Sequence, residues 1–119
     1  MLSSFEEKEG YILHKVKGLY TYQDIERLIE YVDPVIEKDP NAKFLLDYSE
    51  VTNYEQKAMK MAYDRTEKGF PRGVRIAVVY QRKGFLRYII DAITKAMSKN
   101  AKLFDDPQEA KKWLLNQPS

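Results

Sequence analysis

The chain reads as an α/β domain: a mixed sheet of about five strands, opened by an N-terminal hairpin and continued by alternating helices and strands in the order ββαβαβαβα. Three observations predict it. Arg75-Ile76-Ala77-Val78-Val79 is an apolar, β-branched run too short for a helix, and it suits a strand covered on both faces. The basic, glycine-bearing turn Gln81-Arg82-Lys83-Gly84 follows at once, and after it a long apolar helical pattern reaches Met97. Elsewhere, short apolar runs alternate with amphipathic segments that open on capping residues, which predicts parallel pairing through helical crossovers in the later part of the sheet.

Residues 2–7 read as a short edge strand, Glu9-Gly10 as a turn, and residues 11–17 as the second arm of a hairpin. On that arm Ile12, His14 and Val16 share a face, and Gly18 is expected to end it. Thr21 and Asp24 have the spacing of a capping pair, and the stripe Ile25, Leu28, Ile29 and Val32 makes the helix they open amphipathic. Proline in a helix interior removes a hydrogen bond, so this helix is expected to stop at Val32, with Asp33-Pro34 opening a separate turn that carries Val35 and Ile36. Lys38-Asp39-Pro40-Asn41 then forms a loop.

Phe44-Leu45-Leu46 is the next short strand, and residues 47–53 lead from it into a helix. Asn53 and Gln56 are spaced as its capping pair, and Tyr54, Ala58, Met59, Ala62 and Tyr63 lie on its stripe, which runs to about Lys68. Gly69-Phe70-Pro71-Arg72-Gly73 is the most loop-like stretch and delivers the chain to the central strand. In the following helix Phe85, Leu86, Ile89, Ile90, Ile93, Ala96 and Met97 make a stripe wider than one packing face requires, with Tyr88 further round. Ala101-Lys102-Leu103-Phe104 is a last strand. Asp106, Pro107 and Glu109 spell a helix start whose buried face is Ala110, Trp113 and Leu114, and the chain beyond Leu115 is expected to fray.

With 119 residues the chain is one domain's worth, able to bury roughly two thirds of its unfolded surface. It contains no apolar run near the ~20 residues a bilayer demands, and its start lacks the pattern of a secretion signal. No cysteine is present, and a cytoplasmic location is the expectation. The net charge of +2 is too small to argue for nucleic acid, but it is unevenly spread. Residues 1–60 hold 8 basic and 12 acidic side chains, and residues 61–119 hold 12 and 6. Such asymmetry can present a positive face to an anion, an acidic protein or an anionic lipid surface.

Most chemistries find no support in the residues. One histidine without cysteine argues against zinc, and the acidic pairs Asp47 with Glu50 and Asp105 with Asp106 sit where helix caps are usual. A hydrolase would have to combine His14, Ser49 and Asp47, but no Gly-x-Ser-x-Gly elbow surrounds the serine. Gly69, Gly73 and Gly84 form no phosphate-cradling motif. No catalytic residue, metal or cofactor is therefore expected.

The hairpin and first helix, Phe44-Leu45-Leu46-Asp47, Arg75-Ile76-Ala77-Val78-Val79, and the closing stretch Leu103-Phe104-Asp105-Asp106-Pro107-Gln108-Glu109-Ala110-Lys111-Lys112-Trp113-Leu114 together resemble the SpoIIAA-like proteins, a branch of the STAS (STAS/SEC14-like) superfamily. The resemblance implies a STAS-like sheet and, by analogy, a regulatory or binding module. Anti-sigma-factor antagonists of that superfamily carry a phosphorylatable serine in an Asp-Ser-Ser-Gly-Leu pattern. Laid on this chain, the pattern falls on Glu55-Gln56-Lys57-Ala58-Met59, where no hydroxyl remains to take a phosphate. The switch is not carried over.

What remains is a binding function. The basic turn Arg82, Lys83 and Gly84, with Phe85 and Arg87 after it, is the candidate ligand site, because helix-start amides and cationic side chains together favour an anion. Partner contact is expected at Asp47, Ser49, Tyr54, Leu86 and Ile90, and the wide stripe on residues 85–97 motivates a homodimer. The leading expectation is a non-enzymatic module working through protein contact. The alternative is a lipid or small acidic ligand at Arg82-Lys83.

Overall fold

Strand pairing follows chain order. In the computed structural model, which describes residues 3–115, one sheet holds β1 (Ser3–Lys8), β2 (Tyr11–Tyr20), β3 (Lys43–Tyr54), β4 (Arg75–Val79) and β5 (Ala101–Phe104) side by side in that sequence. The β1–β2 hairpin is antiparallel and every later pairing is parallel. The connections are α1 (Tyr22–Lys38), α2 (Gln56–Glu67) and α3 (Phe85–Ala96), and α4 (Pro107–Leu115) follows the last strand. This is the expected ββαβαβαβα order. Leu2, expected in the edge strand, and the tail beyond Leu115 lie outside the described residues.

Strand order fixes where the helices go. When each parallel strand is laid beside the previous one by the same-handed crossover, all the crossover helices fall on one face. Accordingly α1, α2 and α3 pack over Val16, Phe44, Leu46, Ile76 and Val78, while α4 alone covers Leu45, Ala77 and Val79 from behind with Ala110 and Leu114. The apolar run of β4 is thereby explained: its even positions face three helices and its odd positions face one. Because the winding never reverses, β3 and β4 are not splayed by helices on opposite faces. The crevice that a reversal opens at strand ends is not formed there.

Four local readings are corrected. Gly18 does not end β2; with φ +73 it sits at a bulge, and the strand continues to Tyr20. The helix expected to stop at Val32 runs through Pro34 to Lys38, because Pro34 is exposed while Val32 and Ile36 on either side of it are both buried in the core. Residues 47–53 are not a loop. β3 continues through them to Tyr54, paired with the equally long β2, and buries Tyr48 and Val51. Asn53 does not cap α2 either; Glu55 stands at the cap, and Asn53 Oδ1 accepts from its neighbour Tyr54 N at 2.8 Å.

Two capping readings match the structure. Thr21 and Asp24 form a reciprocal box, with Asp24 N donating to Thr21 Oγ1 at 3.1 Å and Thr21 N to Asp24 Oδ2 at 2.8 Å. At α4, Asp106 Oδ1 accepts from Gln108 N at 2.9 Å.

Candidate functional site

The β4–α3 corner is built by one arginine. Tyr80, just past β4, is buried and donates its N–H to Phe104 O at 3.0 Å, extending the contact with β5. Its own carbonyl accepts from Arg87 Nη1 at 2.7 Å, and the same nitrogen donates to Asp105 Oδ1 at 2.8 Å. Arg87 therefore ties α3 to the ends of β4 and β5. It is a clamp on the corner, with its guanidinium turned to Tyr80 and Asp105.

Gly84 makes the change of direction into α3. At φ +120 it occupies backbone space that a side chain would resist, and it stands at the N-cap without a side-chain hydrogen bond. The phase of the helix after it decides which apolar residues are hidden. Leu86 and Ile90, expected at a partner surface, are 9% and 8% exposed and face the sheet. Phe85 and Tyr88 lie on the other side, 68% and 71% exposed, with their rings stacked at 6.2 Å. The wide stripe thus divides into a core face and a solvent-facing aromatic pair.

Arg82 and Lys83 flank that pair and are exposed; neither forms an ion pair among the described residues. Lys83, Gly84, Arg87, Tyr88 and Asp91 line a shallow depression, and Asp91 is paired with Lys95 at 3.0 Å. Of the other expected contact residues, Asp47 is level with Val79 at the end of β4 and so close to the corner. Asp47 Oδ1 accepts both the N–H and the hydroxyl of Ser49, at 3.1 and 2.5 Å. Tyr54 lies seven residues farther along β3, about 20 Å away at strand rise, and is half-buried against the core. The structure therefore gathers Arg82, Lys83, Phe85 and Tyr88, with Asp47 nearby, and leaves Tyr54 apart.

His14 does not meet a nucleophile. It is 1% exposed in β2, its Nδ1–H donates to Ser4 O at 3.1 Å, and burial lowers its pKa to about 4. Among the described residues, no three His, Asp or Glu side chains are grouped so as to hold a metal ion. At the start of α2, Glu55 stands where the resemblance would put the pattern's aspartate, and its Oε1 accepts from Tyr22 N at 2.7 Å and joins two helix starts; the two serine positions are the exposed Gln56 and Lys57. The Glu55 carboxylate thus stands next to the positive end of the helix.

The model of the SpoIIAA-like family matches residues 12–115, from the hairpin's second arm through α4. The chain belongs to the SpoIIAA-like family. Its SpoIIAA-like sheet also matches, in fold, the crystal structure of a DUF3478-family protein with a SpoIIAA-like fold from Shewanella loihica PV-4. That match has a TM-score of 0.66 at 20% identity and covers 94% of this chain and 91% of the other. No curated protein matches the chain. Among the described residues, no helix of this SpoIIAA-like domain is long and apolar enough to cross a membrane.

Sequence reasoning placed Tyr88 off the stripe without assigning it a role. The signal was present in its spacing of three from Phe85, opposite Leu86, Ile90 and Ile93. The pairing of Tyr20 with Tyr48, whose hydroxyls lie 2.9 Å apart, joins positions 28 residues distant and had no local signal.

Proposed function

We propose that this SpoIIAA-like domain is a non-catalytic, cytoplasmic binding module that receives an acidic protein surface at the β4–α3 corner. The observation that carries the reading is the stacked, solvent-facing pair Phe85 and Tyr88 beside the exposed cations Arg82 and Lys83. Burying an aromatic side chain removes roughly 150–250 Å² of surface from water, and aromatic and arginine side chains are the usual anchors of protein interfaces. The two cations would steer an acidic partner and fix its orientation.

A binding role rather than catalysis is supported by the buried, backbone-bonded His14 and by Asp47 and Ser49 engaging each other within β3. A second copy of the chain is a poorer occupant. The two rings supply well under the ~800 Å² per partner of a standard interface.

The test is a photo-reactive amino acid placed at Tyr88 in the full chain, irradiated in extract of the producing cells. A discrete protein adduct is expected, lost when Lys83→Glu is added, and absent when the label is moved to Lys38 at the far end of α1. Equal labelling from both positions, or an adduct indifferent to Lys83→Glu, rejects the reading. Flotation with anionic vesicles that depends on Lys83 would reassign the corner to a lipid surface.

A further inference from the structure

We infer that the rim of the sheet where β2 to β5 begin binds inorganic polyphosphate, an extended chain of linked phosphates, along a row of five cations. Strand register builds the row. Lys43 pairs with Arg75 on the face that holds Leu45 and Ala77, so two positive side chains stand side by side on neighbouring strands, about 4.8 Å apart. Tyr11 comes one residue before Ile12, the partner of Phe44, and so lies beside Lys43; Lys111 of α4 holds its Nζ 6.0 Å from the centre of the Tyr11 ring. On the other side Arg75 Nη1 donates to the carbonyls of Arg72 and Lys99 at 3.4 and 3.5 Å, which brings both residues to the far end of the row. From β2 to β5 the row spans about 14 Å.

The protein supplies these cations with no counter-charge. None of Lys43, Arg72, Arg75, Lys99 and Lys111 forms an ion pair among the described residues; Arg72, Lys99 and Lys111 are exposed, and Lys43 and Arg75 half-buried. Like charges in register on adjacent strands repel, so the pairing of Lys43 with Arg75 costs stability. The carboxyl ends of α1, α2 and α3, which also attract cations, already have Lys38, Arg65 and Lys95 in their last turns. The loops under the row are locked together. Asn100 Nδ2 donates to Pro71 O and Val74 O, each at 2.9 Å, Arg75 N donates to Ala42 O at 3.1 Å, and a Cβ on Gly73 would collide with the Asn41 side chain and with Pro40 O. The backbone that carries the charges is thus fixed before a ligand arrives.

Chemistry narrows the occupant. A row of cations across several strands, rather than a cluster round a pocket, suits a linear anion. Single-stranded nucleic acid adds base stacking on aromatic side chains, and the exposed aromatic residues Tyr22, Tyr63, Phe85 and Tyr88 lie on α1, α2 and α3, away from the row. A duplex is read by an element that enters a groove, whereas strand starts and tight loops make this surface. Protein interfaces rely on aromatic anchors and are depleted in lysine, which supplies Lys43, Lys99 and Lys111 here. Linked phosphates without bases need only the charge. Arg75 and Val79 mark opposite ends of β4, so the row and the β4–α3 corner are separate surfaces, and either reading can fail alone.

The test is calorimetric titration of the full chain with sodium polyphosphate, with tripolyphosphate, and with a single-stranded DNA that matches the polyphosphate in number of phosphates. Polyphosphate is expected to bind at least tenfold more tightly than either, and more weakly as salt rises. Lys43→Gln with Arg75→Gln should weaken it at least tenfold, while Arg82→Gln with Lys83→Gln, an equal loss of charge at the corner, should change it less than twofold. Arg72→Gln with Lys99→Gln replaces the first pair should that pair lower the melting temperature. Equal weakening by the row and corner pairs would trace the binding to overall charge, DNA bound as tightly as polyphosphate would trace it to nucleic acid, and polyphosphate left unbound at low salt would leave the row without this ligand; each overturns the inference.

Discussion

The imidazole of His14 lies nearly flat against the ring of Phe5, with centroids 4.4 Å apart and planes 21° from parallel. Phe5 stacks in turn on Tyr31 of α1 at 4.3 Å, so the edge strand β1 is stapled to the helical layer through a histidine that has almost no access to water. With Nδ1–H held by Ser4 O, the tautomer leaves Nε2 as a buried acceptor that has no hydrogen-bond partner among the described residues. Burial lowers the His14 pKa to about 4, and Arg27 adds to that effect, while the Ser4 carbonyl and Asp24 oppose it.

The stability of the fold should therefore depend on pH through this residue. In the unfolded chain His14 takes a proton near pH 6.5, and in the folded chain only near pH 4. Between those values the unfolded state holds the extra proton, so the contribution of neutral His14 is complete above pH 6.5 and is lost as pH falls toward 4. The gap corresponds to about 3 kcal/mol. Urea unfolding midpoints of the wild type and His14→Phe, compared from pH 7 to pH 4, should converge as the wild type loses this contribution. Parallel curves would contradict the assignment.

The paired hydroxyls of Tyr20 and Tyr48 predict non-additive substitutions. Both rings are buried, and burial raises both pKa values well above the ordinary tyrosine range. Tyr20→Phe or Tyr48→Phe leaves one buried hydroxyl without its partner, at about 1–3 kcal/mol. The double variant removes both groups and should cost less than the two single changes added together. Chemical denaturation of the four chains measures the coupling, and strict additivity would mean that the hydroxyls do not sustain each other.

Arg87 is expected to matter more for stability than for ligand contact. Losing it removes the donor to Tyr80 O as well as the ion pair with Asp105, so Arg87→Met should cost about 1–2 kcal/mol. Asp105→Ala removes only the half-exposed ion pair and should cost under about 1 kcal/mol. Thermal melts of both variants decide the ranking, and the reverse order would show that the carboxylate, not the carbonyl, anchors the corner.

How far the chain could be read without coordinates depended on whether the deciding interactions were local. Arg75 to Val79 announced a strand covered on both faces because β4 is apolar at every buried position, and Thr21 with Asp24 announced a helix start because a capping box is complete within four residues. The second half of β3 was hidden. Asp47, Ser49, Thr52 and Asn53 have loop chemistry, and only the pairing with β2, set more than thirty residues earlier, keeps them extended. Pro34 misled for a related reason, since burial of Val32 and Ile36 outweighs one missing bond on the solvent side. At the candidate site the basic turn was legible, but the phase of α3 was not. Whether Leu86 or Phe85 faces the sheet is decided by Gly84 and by the Arg87 clamp, so the stripe that read as one wide apolar face divides into a core face and two exposed rings.

The corner can be interrogated with one internally controlled measurement. Tyr88 and Tyr63 are both accessible, at 71% and 45%, but only Tyr88 belongs to the proposed contact surface. Hydroxyl-radical labelling of the chain inside its own cells, compared with the purified protein, should show Tyr88 protected at least fivefold and Tyr63 unchanged. Equal labelling of Tyr88 in the two settings, or protection shared by both tyrosines, would contradict a partner seated at the β4–α3 corner.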